Sequence, residues 1–188
     1  MKKINSTPRH LVVLAGFLAA FVAFSPAAHA QAASNSNPPA SKPGVLDRAQ
    51  TGTLLPHAVF FKGASATVQD RNSAGIRFPG GALTLAVLVD VSGYSSEVQQ
   101  TYQGYLLNEV HLRIGDKTLP PGAYGFGFVA GNRAVILDIS GHELLNTATT
   151  HDDKLARPNP LQILPDPTMP GHYRLYLGRN YVTLSEAK

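Results

Sequence analysis

Apolar and polar positions alternate along much of this chain, most clearly between residues 109 and 139. At the start of that segment Val110, Leu112 and Ile114 alternate with charged or imidazole side chains, which is the two-residue period of a half-buried strand. A Gly-Asp-Lys sequence at 115–117 then predicts a turn. The segment therefore predicts consecutive strands joined by short turns.

The second strand of this segment has aromatic residues on one face and glycines on the other. Tyr124, Phe126 and Phe128 share the first face, and Gly125 and Gly127 share the second. A Gly-Asn pair after this strand predicts a tight turn into a third strand. Because aromatic alternation in a small β domain is typical of core, we predict that these rings are buried.

Other stretches predict further strands. Residues 83–91 carry apolar side chains on both faces, which indicates a central strand. Residues 54–61 predict an edge strand, because Pro56 cannot donate a hydrogen bond to a neighbour. Additional strands are predicted at 65–70, 76–78, 143–150, 172–177 and 181–184.

Residues 95–105 are the one segment with a helical pattern, and Ser96 and Gln99 fit a capping box at its start. Residues 156–171 contain five prolines and predict a loop or an edge. Taken together, the elements predict an all-β protein, a single β-sandwich or open barrel of about 8–10 short antiparallel strands with one short helix.

The first 30 residues have the composition of a secretory signal peptide. Basic residues precede an apolar run at 11–24, and Ala28 and Ala30 fit a cleavage site before Gln31. The apolar run is shorter than the roughly 20 residues that a spanning helix needs. We therefore predict export to the periplasm or the extracellular space, with no transmembrane segment in the mature chain.

After the signal, residues 31–50 are rich in Ala, Ser, Asn and Pro and predict a flexible leader. Residues 51–188 then predict a single β-rich domain. Since residues 1–30 hold three of the 16 Lys and Arg residues and none of the 12 Asp and Glu residues, the rest carries a formal charge of +1. This balance gives no reason to expect nucleic acid as a partner.

The chain contains no cysteine, which excludes a disulfide framework, cysteine-based metal sites and thiol chemistry. Stability must therefore come from packing and from the hydrogen bonds of the sheet. No cofactor is expected from the sequence, because no nucleotide-binding loop or other cofactor motif is present.

Three stretches resemble pieces of an uncharacterised family of exported bacterial β-rich proteins. The sequence I-G-D-K-T-L-P-P-G-A-Y-G-F-G-F at 114–128 is similar to an I-G-x-x-x-L-x-x-G-x-Y-x-x-x-F element of that family. R-N-S-A-G-I-R-F at 71–78 and L-Y-L-G-R-N-Y-V at 175–182 also resemble family segments. The resemblance implies a small exported β domain and implies no activity.

Two groups of polar residues are candidate ligand-binding positions, because Arg forks, amides and hydroxyls suit carboxylates, phosphates or sugars. One group lies in a break between strand-like segments, where a turn or bulge is the structural alternative. The other lies on one face of a predicted strand, where Tyr and Arg rows serve recognition. The candidates are Arg71, Asn72, Ser73 and Arg77, and Arg174 and Tyr176.

A metal site is an alternative prediction. Glu109 and His111 are two residues apart, and His151 is followed by Asp152, so a fold that joined these pairs could hold a divalent metal. No H-E-x-x-H spacing and no G-x-S-x-G elbow is present. The sequence thus favours a non-enzymatic domain over a small hydrolase or metal-dependent enzyme.

Three function classes follow. The leading hypothesis is an exported envelope protein whose β domain binds a small ligand, a glycan or an envelope protein without catalysis. The second is a small periplasmic hydrolase or metal-dependent enzyme. The third is a structural or accessory subunit that assembles by strand addition at residues 54–61. The sequence leaves the ligand and the oligomeric state open.

Overall fold

The computed structural model describes residues 42–187, and β structure dominates them. Two short helices are present in this part of the chain, α1 (Arg48–Leu54) and α2 (Ser96–Thr101). The strands are β1 (Gly44–Leu46), β2 (Ala58–Phe61), β3 (Ala64–Arg77), β4 (Leu83–Val89), β5 (Gly104–Asn108), β6 (Leu112–Ile114), β7 (Lys117–Leu119), β8 (Gly122–Val129), β9 (Arg133–Leu137), β10 (Glu143–Ala148), β11 (Thr150–His151), β12 (Leu161–Pro165), β13 (His172–Leu177) and β14 (Asn180–Glu186).

These strands form two antiparallel sheets. The larger sheet has the order β1-β3-β4-β5-β8-β9-β10, with β2 paired to β3. The smaller sheet has the order β12-β13-β14-β6-β7, with β11 paired to β14. The predicted all-β class is confirmed. The strands outnumber the prediction because very short ones, such as the two residues of β11, carry no recognisable alternation.

One hydrophobic cluster lies between the two sheets. Apolar side chains from the inward faces of both sheets are removed from water there, which is the main favourable term in holding the sheets together. The larger sheet contributes Ile76, Leu106, Phe126 and Ile136, and the smaller sheet contributes Leu112, Ile114, Leu175 and Leu184.

A second cluster covers the outer face of the larger sheet. There the hairpin of β2 and β3 packs with the two helices over β4, so that Val87 is fully buried on this face and Ala86 on the other. The prediction of a central strand buried on both faces is therefore confirmed. The predicted edge strand is also present as β2, but it begins at Ala58 because the residues up to Leu54 belong to α1.

Strand β3 is continuous where the sequence predicts two segments with a break. Val68 pairs with Val89 and Ser73 pairs with Val87, so four residues of β3 oppose one residue of β4. Because three extra residues is an odd number, the faces of β3 exchange across this irregularity. Val68 therefore packs in the outer cluster, whereas Ile76, which shares its parity, packs between the sheets.

The N-terminal boundary differs from the prediction. Residues 44–50 were predicted to be part of the flexible leader, yet they form β1 and the start of α1. Asp47 caps α1 through a reciprocal capping box with Gln50, and Leu46 is buried in the outer cluster. The predicted signal peptide and residues 31–41 lie outside the described residues.

The second helix is shorter than predicted and its cap is shifted by one residue. Ser95, not Ser96, is the N-cap, and its side chain accepts a hydrogen bond from the Val98 amide. The helix ends at Thr101 because Gly104 already pairs with Phe126 as the first residue of β5. The tight turn that the Gly-Asn pair predicted is present between β8 and β9.

Candidate ligand-binding cleft

An open cleft of about 520 Å³ lies at one end of the smaller sheet. It is bounded by the end of β3, the turn before β13 and the end of β14, and β6 contributes one side chain. The side chains that matter for its chemistry are Phe78, Arg113, His172, Tyr173, Ser185 and Glu186.

Strand register places three polar side chains of this cleft in one row. His172 is the cross-strand partner of Ser185, and Ser185 is the cross-strand partner of Arg113. Directly paired residues point to the same face, and neighbouring strands lie about 4.8 Å apart. An imidazole, a hydroxyl and a guanidinium are therefore presented side by side on three adjacent strands.

Aromatic rings form the apolar side of the cleft. The Phe78 and Tyr173 rings meet edge to face, with centroids 6.1 Å apart and an interplanar angle of 86°. Backbone hydrogen bonds from Phe78 to Ala82 and from Gly81 to Phe78 hold the turn that carries Phe78. Burial raises the pKa of Tyr173, so its hydroxyl is neutral near pH 7.

The polar groups of the cleft are uncommitted within the described part of the chain. Ser185 is only 7% exposed, yet its hydroxyl makes no hydrogen bond to another described residue. Arg113 and Glu186 likewise take part in none of the ion pairs found there. The His172 ring makes one long contact, 3.4 Å from Nδ1 to the Pro170 carbonyl oxygen. These groups can therefore serve a ligand without first losing a strong partner.

Arg174 and Tyr176, which the sequence indicated as ligand-binding, lie in a different environment. Arg174 Nε donates to Asp166 Oδ2 at 2.8 Å, and the Tyr176 hydroxyl donates to Asp152 Oδ2 at 2.9 Å. The guanidinium carbon of Arg174 also lies 4.5 Å from the centre of the Tyr181 ring. Both side chains are thus engaged with carboxylates of the protein itself.

Charge pairing shifts the acidities in this network. Hydrogen bonds from Arg174 hold the pKa of Asp166 well below its ordinary value, with the Thr168 hydroxyl as the next cause. The same pairing with Asp166 raises the pKa of Arg174. The pKa of Asp152 is lowered, chiefly by the hydrogen bond from Tyr176. The charged forms of Asp166, Arg174 and Asp152 are therefore stabilised by partners within the protein.

The remaining predicted ligand-binding residues lie on β3, in the other sheet. Asn72 Nδ2 donates to Gln69 Oε1 at 2.8 Å, and the Ser73 hydroxyl donates to the Asp70 carbonyl at 2.8 Å. These bonds match the alternative of a bulge that satisfies its own backbone. Arg71 is exposed beside them.

Arg77 lies at the end of β3. One terminal nitrogen of its guanidinium is 3.3 Å from the Gly81 carbonyl oxygen, and its Nε is buried without a partner in the described residues. The structure therefore does not unite the four β3 candidates with Arg174 and Tyr176.

The two halves of the predicted metal site are also separated. His151 pairs with Asn180 at the start of β14, whereas the carbonyl of His111 accepts a hydrogen bond from Ala187 just beyond its end. Seven residues of extended chain span about 23 Å. Glu109 is engaged elsewhere, since its carboxylate accepts the Leu83 amide at 2.8 Å. Among the described residues, no three His, Asp or Glu side chains gather as metal ligands.

Two of the residues that the sequence predicted as ligand-binding, Arg174 and Arg77, are sequence neighbours of residues that line the cleft. Arg174 was predicted on β13, where its neighbours His172, on the same face, and Tyr173, on the opposite face, line the cleft; Phe78, which also lines it, directly follows the predicted Arg77. Because Arg174 shares a strand face with His172, its position two residues farther along β13, and not its face, keeps it outside the cleft. The row of His172, Ser185 and Arg113 depends on the pairing of β14 with β6, and no local sequence pattern predicts that pairing.

Comparison with protein-family models, with curated proteins and with solved structures finds no match to this chain. The resemblance of residues 114–128 to a family of exported β-rich proteins thus stays a prediction. Within residues 42–187, none of the helices has the length and apolar character needed to cross a membrane.

Proposed function

We propose that the chain is an exported β domain of the cell envelope that binds a small ligand in the cleft between Phe78 and Arg113, without catalysing a reaction. The observation that carries this proposal is the contrast between the cleft and the rest of the polar surface. The cleft presents unengaged polar side chains beside aromatic rings, whereas the Arg174 network is engaged internally.

The geometry of the cleft supports binding in a direct way. Small-molecule sites are concave, apolar for the most part, and carry a few convergent polar groups that orient the ligand. Here Phe78 and Tyr173 supply the apolar wall, and the row of His172, Ser185 and Arg113 supplies the polar groups. The volume of about 520 Å³ lies within the range of roughly 300–1,000 Å³ typical of ligand pockets.

Export is the second part of this proposal. It rests on the basic residues and the apolar run at the N-terminus, followed by Ala28 and Ala30. We expect the exported protein to begin at Gln31, which an intact-mass measurement on protein recovered from the periplasm or the medium would show. Recovery of a chain that retains Met1 would contradict both the signal peptide and the location.

The binding proposal is tested by NMR on the processed protein. Amide resonances are followed while a panel of small acids, sugars and short peptides is added. We expect hits to shift the amides of Gly171, His172, Ser185 and Ala187 at the cleft. Hits that instead shift amides around Arg174 or β2 would place the binding site elsewhere and overturn the assignment.

A second candidate function, assembly by strand addition, is favoured by β2. This strand pairs with β3 and, in the described residues, with no other strand. Phe60 on β2 is 57% exposed, so this edge presents a large apolar side chain to a partner strand. Sedimentation of the processed protein would test this function. A concentration-dependent assembly that Phe60→Lys abolishes would support it, and a monomer at all concentrations would contradict it.

A further inference from the structure

We infer that the ligand of the cleft combines one anionic group, a carboxylate or a phosphate, with a flat apolar ring. This inference rests on the proposed binding function and names the class of ligand for the same site. It follows from which charges in the cleft are unpaired, from where the aromatic rings stand, and from how the other arginines are engaged.

The row on β13, β14 and β6 is suited to an anion. Arg113 offers a fork of N–H donors with no carboxylate bound to it in the described residues, and such forks match carboxylates and phosphates in two-point contacts. Ser185, paired directly with Arg113, adds a hydroxyl to this row. His172 stands on the other side of Ser185 and can add an N–H.

Two other arginines of this sheet are already engaged. Arg174 is bound to Asp166, and Arg179 donates to the Leu155 carbonyl at 2.9 Å. An anion that approached either of them would have to displace a partner held inside the protein. Arg113 lacks such a competitor among the described residues and lines the cleft, so its guanidinium is available to a ligand there.

Glu186 restricts the distribution of charge on the ligand. It follows Ser185 on β14, so its side chain points to the opposite face of the strand while still lining the cleft. A second negative charge on that side would be repelled. The anionic group is therefore expected at the Arg113 end, with an uncharged remainder toward Glu186.

The apolar part of the ligand is matched to the ring wall. Phe78 and Tyr173 meet edge to face and Pro79 and Pro170 flank them, so the wall consists of flat, rigid groups. Aromatic ligands pack on such surfaces by stacked or edge-to-face contacts. Because Tyr173 and the row point to opposite faces of the smaller sheet, a ring that carries one acidic substituent has to lie across the end of the strands to meet both.

The test uses four probes on the processed protein, namely benzoate, phenyl phosphate, the neutral benzamide and inorganic phosphate. Dissociation constants are measured by NMR titration. We expect benzoate or phenyl phosphate to bind at least about tenfold more tightly than benzamide, since one charge-assisted pair contributes roughly that factor. Inorganic phosphate, which lacks the ring, is expected to bind more weakly than phenyl phosphate. The relative strength of benzoate and phenyl phosphate then identifies the preferred acid.

Variants separate the role of Arg113 from general charge. Arg113→Gln changes an exposed side chain and is expected to weaken the anionic probes about tenfold while leaving benzamide unchanged. Arg157→Gln, which removes another exposed arginine away from the cleft, is the matched control and should change neither.

Different outcomes contradict the inferred ligand class and the proposed binding function. Benzamide or a neutral panel compound that binds the cleft as tightly as benzoate, or anion binding unchanged by Arg113→Gln, would overturn the inference and leave the binding function standing. If neither the charged nor the neutral compounds shift the cleft amides, the binding function fails as well.

Discussion

Arg174 Nε donates to Asp166 Oδ2 at 2.8 Å, and the Asp166 side chain is only 1% exposed. An Asp166→Asn substitution leaves the guanidinium without its buried counter-charge. We expect the free energy of unfolding at pH 7 to fall by about 2–3 kcal/mol, as measured by urea denaturation. Asp116→Asn removes the carboxylate of an exposed pair with Lys117 and should change stability by less than about 1 kcal/mol.

The same pair predicts a pH dependence. Because folding depresses the pKa of Asp166, the unfolded state binds the proton more readily than the folded state. The stabilisation is therefore complete above the ordinary value of 3.8 and is lost as the pH falls from there toward the folded pKa. Urea titrations between pH 7 and pH 2 should show a steeper acid loss for the natural protein than for Asp166→Asn. An equal loss of stability with falling pH in the two proteins would mean that Asp166 does not contribute to the acid sensitivity.

Phe126 is the central aromatic residue of β8 and is 1% exposed between the sheets. Phe126→Ala removes a fully buried ring, and we expect it to lower the free energy of unfolding by about 3–5 kcal/mol. Phe60→Ala, which truncates a largely exposed ring, should cost well under 1 kcal/mol by the same denaturant assay. Similar losses for the two variants would contradict the burial described here.

Gly125 lies against the outer aromatic cluster. A Cβ at this position would stand 2.6 Å from Phe61 Cε2, and the Phe61 ring is itself stacked on Tyr102 with centroids 3.8 Å apart. Gly125→Ala should therefore destabilise by about 1–3 kcal/mol, because a packed ring has to move. Gly93→Ala, where no atom beyond the adjoining residues lies within 4 Å of the added carbon, is the control and should be close to neutral. Thermal unfolding of both variants decides the point.

The cap of α2 gives a prediction that separates two adjacent serines. The Ser95 hydroxyl accepts from the Val98 amide, whereas Ser96 is the first residue of the helix. Ser95→Ala is expected to cost about 0.5–1 kcal/mol, and Ser96→Ala is expected to change stability less. A larger loss of stability for Ser96→Ala than for Ser95→Ala in urea unfolding would contradict this cap and support the capping box that the sequence predicted at Ser96 and Gln99.

Local patterns predicted the strands correctly where alternation was long and chemically distinct. The rings and glycines of β8 were assigned to opposite faces because the period of a strand is two, and the structure places Phe126 between the sheets and Gly125 against Phe61. The continuous apolar run of β4 likewise predicted burial on both faces, because successive residues of a strand point to opposite faces. Very short elements such as β1 were not predicted, because three residues do not establish a period.

The sequence by itself thus determined the all-β class, the central and edge strands and the hairpins, because these depend on side-chain period and turn chemistry within a few residues. The tertiary structure alone decided the exchange of faces in β3 and the row of His172, Ser185 and Arg113. Both depend on register between strands, and β6 and β14 are far apart in the chain. A shift of one residue in such a pairing turns every side chain to the other face, so only the assembled sheets could reveal the cleft.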